Sequence, residues 1–272
     1  MTDWFYSLPL WLSTVLVLAV ALAIGLGSSL GLQRLLGIKA TKEEKEVAIN
    51  LMQVVAAYVG IMIAFAGVQV WQDFTEAKNA VSEEAATASQ LYQDLTIFGP
   101  ETRNARIAVR HYVTSIVEDE WAMLKEGKGS EATEASLQRL FNEIGKLNPA
   151  DNRAGAIYEE MLEKLNDLVD LRSDRIVESQ TGIPVILWTI GLVGSLLTVA
   201  YASAFTPTRY NIMMIAGIAL TLGLVFLFIL TVDYPFKGDF SVSNARLVEL
   251  SAEFDRLDQM GTAMQGETTE LR

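Results

Sequence analysis

The side chains that most often perform catalysis or hold metals are scarce in this sequence. The 272 residues contain no cysteine and a single histidine, His111, which precedes Glu118, Asp119 and Glu120. Imidazole and carboxylate groups can bind a divalent cation together, but a lone histidine beside an acidic cluster on a helix is usually solvated surface. The composition excludes thiol chemistry and multi-histidine sites, so we expect no metal, no cofactor and no enzymatic activity.

Glu84 is better placed for a function, because it belongs to a regular pattern. Two series of residues recur every seven positions between 49 and 98; one contains Gln53, Gly60 and Gly67, and its partner series contains Glu84, the only charge in either. Such a repeat makes a helix face that meets a partner helix. Glu84 is therefore either an ion-pair partner of Arg172 or Arg175, or part of a carboxylate ring that attracts cations in an oligomer.

The same repeat predicts one long helix that crosses a membrane boundary. No proline occurs between 46 and 98, and a helix of that span would be about 80 Å long at 1.5 Å per residue. The residues of the two series form one helix face, which we call the seam. Near Gly60 and Gly67 the seam residues are small, as in helices that pack closely in lipid. From Phe74 onward they are large and apolar, as expected where burial from water is favourable. We expect a neighbouring subunit to cover part of the water-side seam, with Gly60 and Gly67 near a symmetry axis.

Composition and hydropathy point to a membrane protein with an acidic water-facing part. The chain is 51% hydrophobic with a mean hydropathy of +0.28, yet its net charge is −12, which argues against nucleic-acid binding. Four stretches reach the length of about 20 apolar residues that spans a bilayer: 8–32, 47–70, 183–205 and 210–232. The predicted fold is all-α, with these four transmembrane helices and an extramembrane helical bundle between the second and third.

The domain boundaries follow from the same pattern. Residues 1–72 hold the first two spans, 73–182 the bundle, 183–232 the last two spans, and 233–272 an elbow with an amphipathic helix. Turn signals at Gly99-Pro100, 127–129 and Asn148-Pro149 divide the bundle into helices at 73–98, 101–126, 130–147 and 151–181. Ser130 is the predicted N-cap of the third.

The elbow combines helix-breaking residues with two aspartates. Asp233, Pro235, Phe236 and Gly238 lie directly after the last span, where proline and glycine stop the helix at the membrane surface. Beyond it, Ser243 can cap a helix over 243–258. We expect four apolar residues of that helix to dock on the bundle: Leu247, Leu250, Phe254 and Leu257.

The elbow Asp233–Gly238, followed by Ser241-Val242-Ser243, resembles a bacterial membrane family of unknown function that is labelled bestrophin-like. Tyr112-Val113 and Glu120-Trp121 look like another recurrent feature of that family, and the layout of spans and bundle fits it along nearly the whole chain. Bestrophins are pentameric anion channels with cytoplasmic soluble helices, so the resemblance implies an oligomeric channel. No run here matches a bestrophin pore neck residue by residue.

Charge asymmetry gives an orientation opposite to the one that the resemblance implies. Arg34, Lys39, Lys42 and Lys45 lie between the first two spans, and Arg209 lies between the last two. By the positive-inside rule both short loops face the cytoplasm, which places the bundle and both termini in the bacterial periplasm.

Taken together, the residues predict a homo-oligomeric protein of the bacterial inner membrane. The first functional hypothesis is an ion channel or related transport protein whose pore or interface candidates are Gln53, Gly60, Gly67 and Glu84. Its partners would be membrane lipid, further copies of itself and inorganic ions. The alternative is a non-conducting sensor or scaffold whose bundle binds a partner or ligand.

Overall fold

The computed structural model describes residues 3–36, 41–202 and 208–270, which form helices and no strands. Lys39 and the predicted end of the third span, 203–205, lie outside these ranges. Short turns apart, the helices in chain order are α1 Asp3–Tyr6, α2 Leu10–Leu36, α3 Lys42–Phe98, α4 Arg103–Ser115, α5 Trp121–Leu124, α6 Glu131–Ile144, α7 Asn152–Gln180, α8 Val185–Ala202, α9 Arg209–Val232 and α10 Ala245–Glu270.

The long helix α3 confirms the continuity that the heptad series predicts. It is helical over 57 residues, and its start is closed by a reciprocal pair of bonds. The Thr41 amide donates to Glu44 Oε2 at 2.7 Å, and the Glu44 amide donates to Thr41 Oγ1 at 3.3 Å. This capping box satisfies backbone donors that the first helical turn leaves open.

One compact unit comprises Met1–Phe74 and Gly182–Ser241. It contains the four helices that are long and apolar enough to span a membrane, α2, α8, α9 and the first part of α3. Small residues bring α2 and α9 together: a Cβ built on Gly25 would lie 2.6 Å from Ala219 Cβ, and one on Gly223 would lie 2.8 Å from Ala21 Cβ. At Gly27, also on α2, no described atom lies within 4 Å of the Cβ position.

The other unit comprises Thr75–Thr181 and Val242–Arg272. Its core includes the water-side seam of α3, where Val81 is 2% exposed and Ala88, Leu91 and Leu95 are 0% exposed. The expectation that a neighbouring subunit covers part of this seam is wrong, because α3 is already enclosed here by helices of its own chain. At the start of α6, Ser130 caps as predicted and accepts from the Ala132 and Thr133 amides.

The predicted helix 101–126 is interrupted by a π-helical turn. After a 3-10 turn at Pro100–Thr102, α4 ends at Ser115, and Ile116–Glu120 form the π-turn before α5. A π-turn inserts one residue into a helix without a proline or glycine to mark it. Sequence periodicity alone therefore does not reveal it.

Helix α10 docks on the helical unit as predicted, with one exception. Leu247, Leu250 and Phe254 are buried, whereas Leu257 is half-buried. The Phe254 ring stacks on Tyr92 with centroids 4.3 Å apart. The docked face therefore ends near Phe254, and polar contacts take over beyond it.

Asp258 joins α10 to α3 and α4. Its carboxylate accepts from Tyr92 Oη at 2.7 Å, and it pairs with Arg106 at 2.5 Å and with Arg110 at 2.9 Å. Burial opposes ionisation of this carboxyl, but the Tyr92 hydrogen bond and the two guanidinium groups outweigh it and lower the pKa of Asp258. The ionised form is therefore the one that holds the helix.

The docking of α10 should weaken in acid. A lowered folded-state pKa means that the contribution of Asp258 is present above its ordinary value of about 4 and is lost as pH falls through the lower folded value. Hydrogen exchange of the 245–258 amides, corrected for the intrinsic pH dependence of exchange, should show protection falling through that window. Asp258→Asn should reduce protection at neutral pH and flatten the dependence, whereas the control Asp174→Asn, on the exposed face of α7, should change neither. Equal protection of wild type and Asp258→Asn at neutral pH would contradict the assignment.

Candidate functional site

The membrane part of α3 has one face inside its own unit and one face outside. Val59, Ile63, Ala66 and Val70 are buried in the core of the spanning unit, with Ile183, Ile229 and Val232 of neighbouring helices. These four positions follow the three- and four-residue spacing of a single helix face. Part of the remaining circumference is exposed among the residues that the structure describes.

The outward face carries the predicted candidates Gln53 and Gly60. Both are exposed, and among the described residues no atom lies within 4 Å of the Cβ position of Gly60. Gly67 lies at the edge of that face, with its Cβ position 3.7 Å from the Phe228 ring. The spacing that predicted a shared face therefore brings Gln53 and Gly60 together on open surface and places Gly67 beside α9.

Large apolar side chains lie on a different part of the exposed circumference. Val54, Ile61 and Phe65 are 69%, 55% and 65% exposed, and Val54 and Ile61 directly follow Gln53 and Gly60, so they point about 100° away from them around the helix. In a span they contact lipid, a second subunit or a pore, whereas the amide of Gln53 is costly to leave in hydrocarbon. The side of α3 that carries Gln53 is therefore better suited to protein or pore water than to lipid alone.

Glu84 does not belong to the outward face. It is 0% exposed within the helical unit, where Arg175 Nε donates to its Oε2 at 2.6 Å and the Tyr112 hydroxyl donates to its Oε1 at 2.6 Å. Arg175 is one of the two ion-pair partners considered from the sequence. A carboxylate so enclosed presents no charge to a pore, because its own bundle neutralises it.

A second carboxylate completes this buried charge network. Glu120, at the end of the π-turn, accepts from Arg175 Nη2 at 2.7 Å, from Arg172 Nη2 at 2.7 Å and from the Ser130 amide at 2.8 Å. Burial raises the pKa of Glu120, but the hydrogen bond of Arg172 and the charge of Arg175 outweigh that effect and lower it. The network thus joins α3, α7 and the π-turn as two carboxylates and two guanidinium groups.

Tyr112 also belongs to this network, although the sequence did not predict it as a partner of Glu84. Burial and the neighbouring Glu84 charge raise the pKa of its phenol well above the ordinary value, so it stays a hydrogen-bond donor. The sequence carries a partial signal: Tyr112 and Glu120 belong to the motif pairs noted above, and Arg172 and Arg175 were considered as partners. Their convergence joins residues that are far apart in the sequence.

The elbow connects the ends of three spanning helices. Asp233, 5% exposed at the end of α9, accepts from the Ile183 amide just before α8 at 2.7 Å. Asp239, the second aspartate of the elbow, accepts a hydrogen bond from the Leu10 amide at the start of α2 at 2.8 Å. Asp233 thus lies near the N-terminus of α8 and Asp239 at the N-terminus of α2, where negative charge is favoured.

The other elbow residues shape the turn between those two carboxylates. Pro235 and Phe236 are buried. Gly238 has φ +80°, a left-handed conformation that favours glycine, and a Cβ there would lie 3.3 Å from the Tyr6 ring. The elbow is therefore a built membrane-surface joint.

His111 is exposed on α4. Within the described ranges, no group of three or more His, Asp or Glu side chains could hold a metal ion. Four apolar helices with a helical unit between the second and third define a multi-pass membrane protein of the all-α class, as predicted from the sequence.

Comparison with known proteins identifies the family. The model of the bestrophin-like domain matches residues 19–247, so the chain belongs to the bestrophin-like family. No curated protein matches it.

Solved structures agree with this fold. A point variant of a bacterial bestrophin homologue from Klebsiella pneumoniae is similar with a TM-score of 0.68 and 16% identity, over 90% of this chain and 98% of that one. A structure of the homologue from the same organism phased with zinc gives 0.63 and 16%, over 93% and 98%. At this identity the similarity establishes the fold.

Removing one member of the buried charge network should be strongly destabilising. Arg175→Met leaves Glu84 and Glu120 buried without their shared cation, which costs about 3–5 kcal/mol when a buried pair is broken. Arg139→Met changes an exposed arginine on α6 and should cost less than about 0.5 kcal/mol. Urea unfolding of both full-length variants in mild detergent measures the difference, and equal stabilities would contradict the central position of Arg175.

Proposed function

We propose that this protein is a homo-oligomeric ion channel in which the outward face of α3 surrounds or adjoins the conducting axis. Membership of the bestrophin-like family supports a channel. The observation that carries the proposal is the uncovered face with Gln53 and Gly60, because a polar amide and a bare backbone within a span call for protein or water beside them.

We assign the four sequence candidates different roles. Gln53 and Gly60 are the axis candidates, and Gly67 lies at the border between α3 and Phe228 of α9. Glu84 supports α3 from within the helical unit through Arg175. Ion selectivity is therefore not assigned to Glu84, and the proposal includes no catalytic step.

Adding bulk at Gly60 should block conduction. A Cβ at position 60 has no described atom within 4 Å, so each Gly60→Leu subunit should fold, while the crowded axis should lose ion flux in liposomes. Gly27→Leu is the matched control, because the Cβ of that exposed glycine on α2 also meets nothing. It should leave flux unchanged.

The oligomeric mass in mild detergent separates the channel from the scaffold alternative. Loss of flux in Gly60→Leu with the oligomer intact supports a conducting axis. A scaffold would show no flux in the wild type, and Gly60→Leu would dissociate it. A monomeric wild type would contradict both.

The orientation stays a prediction. The excess of Lys and Arg in the short loops favours a periplasmic helical unit, whereas the fold of bestrophins favours the cytoplasm. A C-terminal fusion reports the side of α10: alkaline phosphatase activity would support the periplasm, and fluorescence of a cytoplasm-dependent reporter would reverse the assignment. The two fusions are mutual controls.

A further inference from the structure

The spanning unit contains an apolar cavity away from α3. Its volume is about 320 Å³, and its described lining comes from α1, α2, α8 and α9, with none from α3. This volume lies at the lower end of the range of about 300–1,000 Å³ that small-molecule sites occupy. The cavity is thus large enough for a ligand and separate from the proposed axis.

The cavity runs along the helices for about half a bilayer. On α8 the lining extends from Trp188 to Val199, and on α9 from Ala219 to Leu230. Eleven residue steps correspond to about 16 Å at 1.5 Å per residue, against a hydrocarbon thickness of about 30 Å. Its length is that of one leaflet.

One end of the cavity lies at the membrane surface. Trp4, Trp188 and Leu230 line that end, close to the elbow where Asp233 meets Ile183. Tryptophan is enriched at membrane–water interfaces. The cavity therefore begins at headgroup level and ends near the bilayer midplane.

The long side of the cavity opens to the surface of the unit. Val20 and Ile24 of α2 are 48% and 44% exposed, and Leu192 and Leu196 of α8 are 49% and 51% exposed. These residues line the cavity. In a bilayer, such an opening between two spans admits molecules from the hydrocarbon.

The lining selects the occupant by polarity. Among the described lining residues, Ser195 is the one hydroxyl, and water needs two or more polar partners to stay in a cavity. An apolar chain fits this lining.

We propose that this cavity binds one acyl chain of a membrane phospholipid, whose headgroup lies near Trp4 and the elbow. The apolar depth, the one-leaflet length and the lateral opening fit such a chain, and the tryptophans fit the headgroup boundary. The bound chain would support α2 against α8, independently of whether the oligomer conducts.

Native mass spectrometry of the full chain tests this proposal. After detergent exchange that removes loosely bound lipid, the wild type should retain one phospholipid mass per chain. Val20→Phe, at the half-exposed rim, and Val17→Phe/Val20→Phe should lose it. Val15→Phe is the matched control, since Val15 is 58% exposed on α2 and does not line the cavity, and it should keep the lipid.

Each other outcome overturns the proposal. A wild type without a retained phospholipid does so whether or not the variants fold. A retained fatty-acid mass would assign the cavity to a free acid, and equal retention in Val20→Phe would place the lipid elsewhere. Dissociation of the oligomer in Val20→Phe, with no lipid on the wild type, would assign the cavity to a second copy.

Discussion

The structure depends on α3, a single helix whose first part is suited to lipid and whose second part is suited to water. Along α3 the buried residues are Val59, Ile63, Ala66 and Val70 in the spanning unit, and the fully enclosed Ala77, Ala88, Leu91 and Leu95 in the helical unit. Lipid offers no hydrophobic drive between helices, so the membrane part can leave half of its circumference open. Water penalises exposed apolar area, so the outer part is enclosed by its own chain. Because α3 is continuous, a partly exposed membrane part is followed directly by a part that its own chain encloses.

The closed part of α3 holds a fully buried carboxylate, and the rest of the helical unit is arranged to neutralise it. Arg175 joins Glu84 to Glu120, and Arg172 shares Glu120 with the Ser130 amide. Apolar residues of similar volume often match a buried ion pair in stability. The charges add directionality, because a guanidinium group donates its hydrogen bonds to carboxylates in its own plane. The network therefore fixes α7 and the π-turn against α3.

The elbow and the proposed lipid site lie next to each other in the spanning unit. Asp233 and Asp239 satisfy the open amides of Ile183 and Leu10, where water alone would otherwise compete for them. These two hydrogen bonds tie three helix ends together. Below the elbow, the apolar cavity lined by α1, α2, α8 and α9 has the length and polarity that suit a single acyl chain.

Periodicity, composition and turn residues determined the four spans, the continuity of α3, the Ser130 cap and the docking of α10, because each depends on residues close in sequence or on overall hydropathy. The family was indicated by the resemblance of the elbow and its accompanying motifs. Only the tertiary structure decided that the water-side seam is enclosed by its own chain, that Glu84 is paired rather than open, and that Gly25 and Gly223 make the close contacts between α2 and α9. A seven-residue repeat states that a helix face meets a partner. It carries no information on which partner, since apolar burial is non-directional, and the π-turn at Ile116–Glu120 leaves no mark in residue type. The choice among partners depends on three-dimensional proximity.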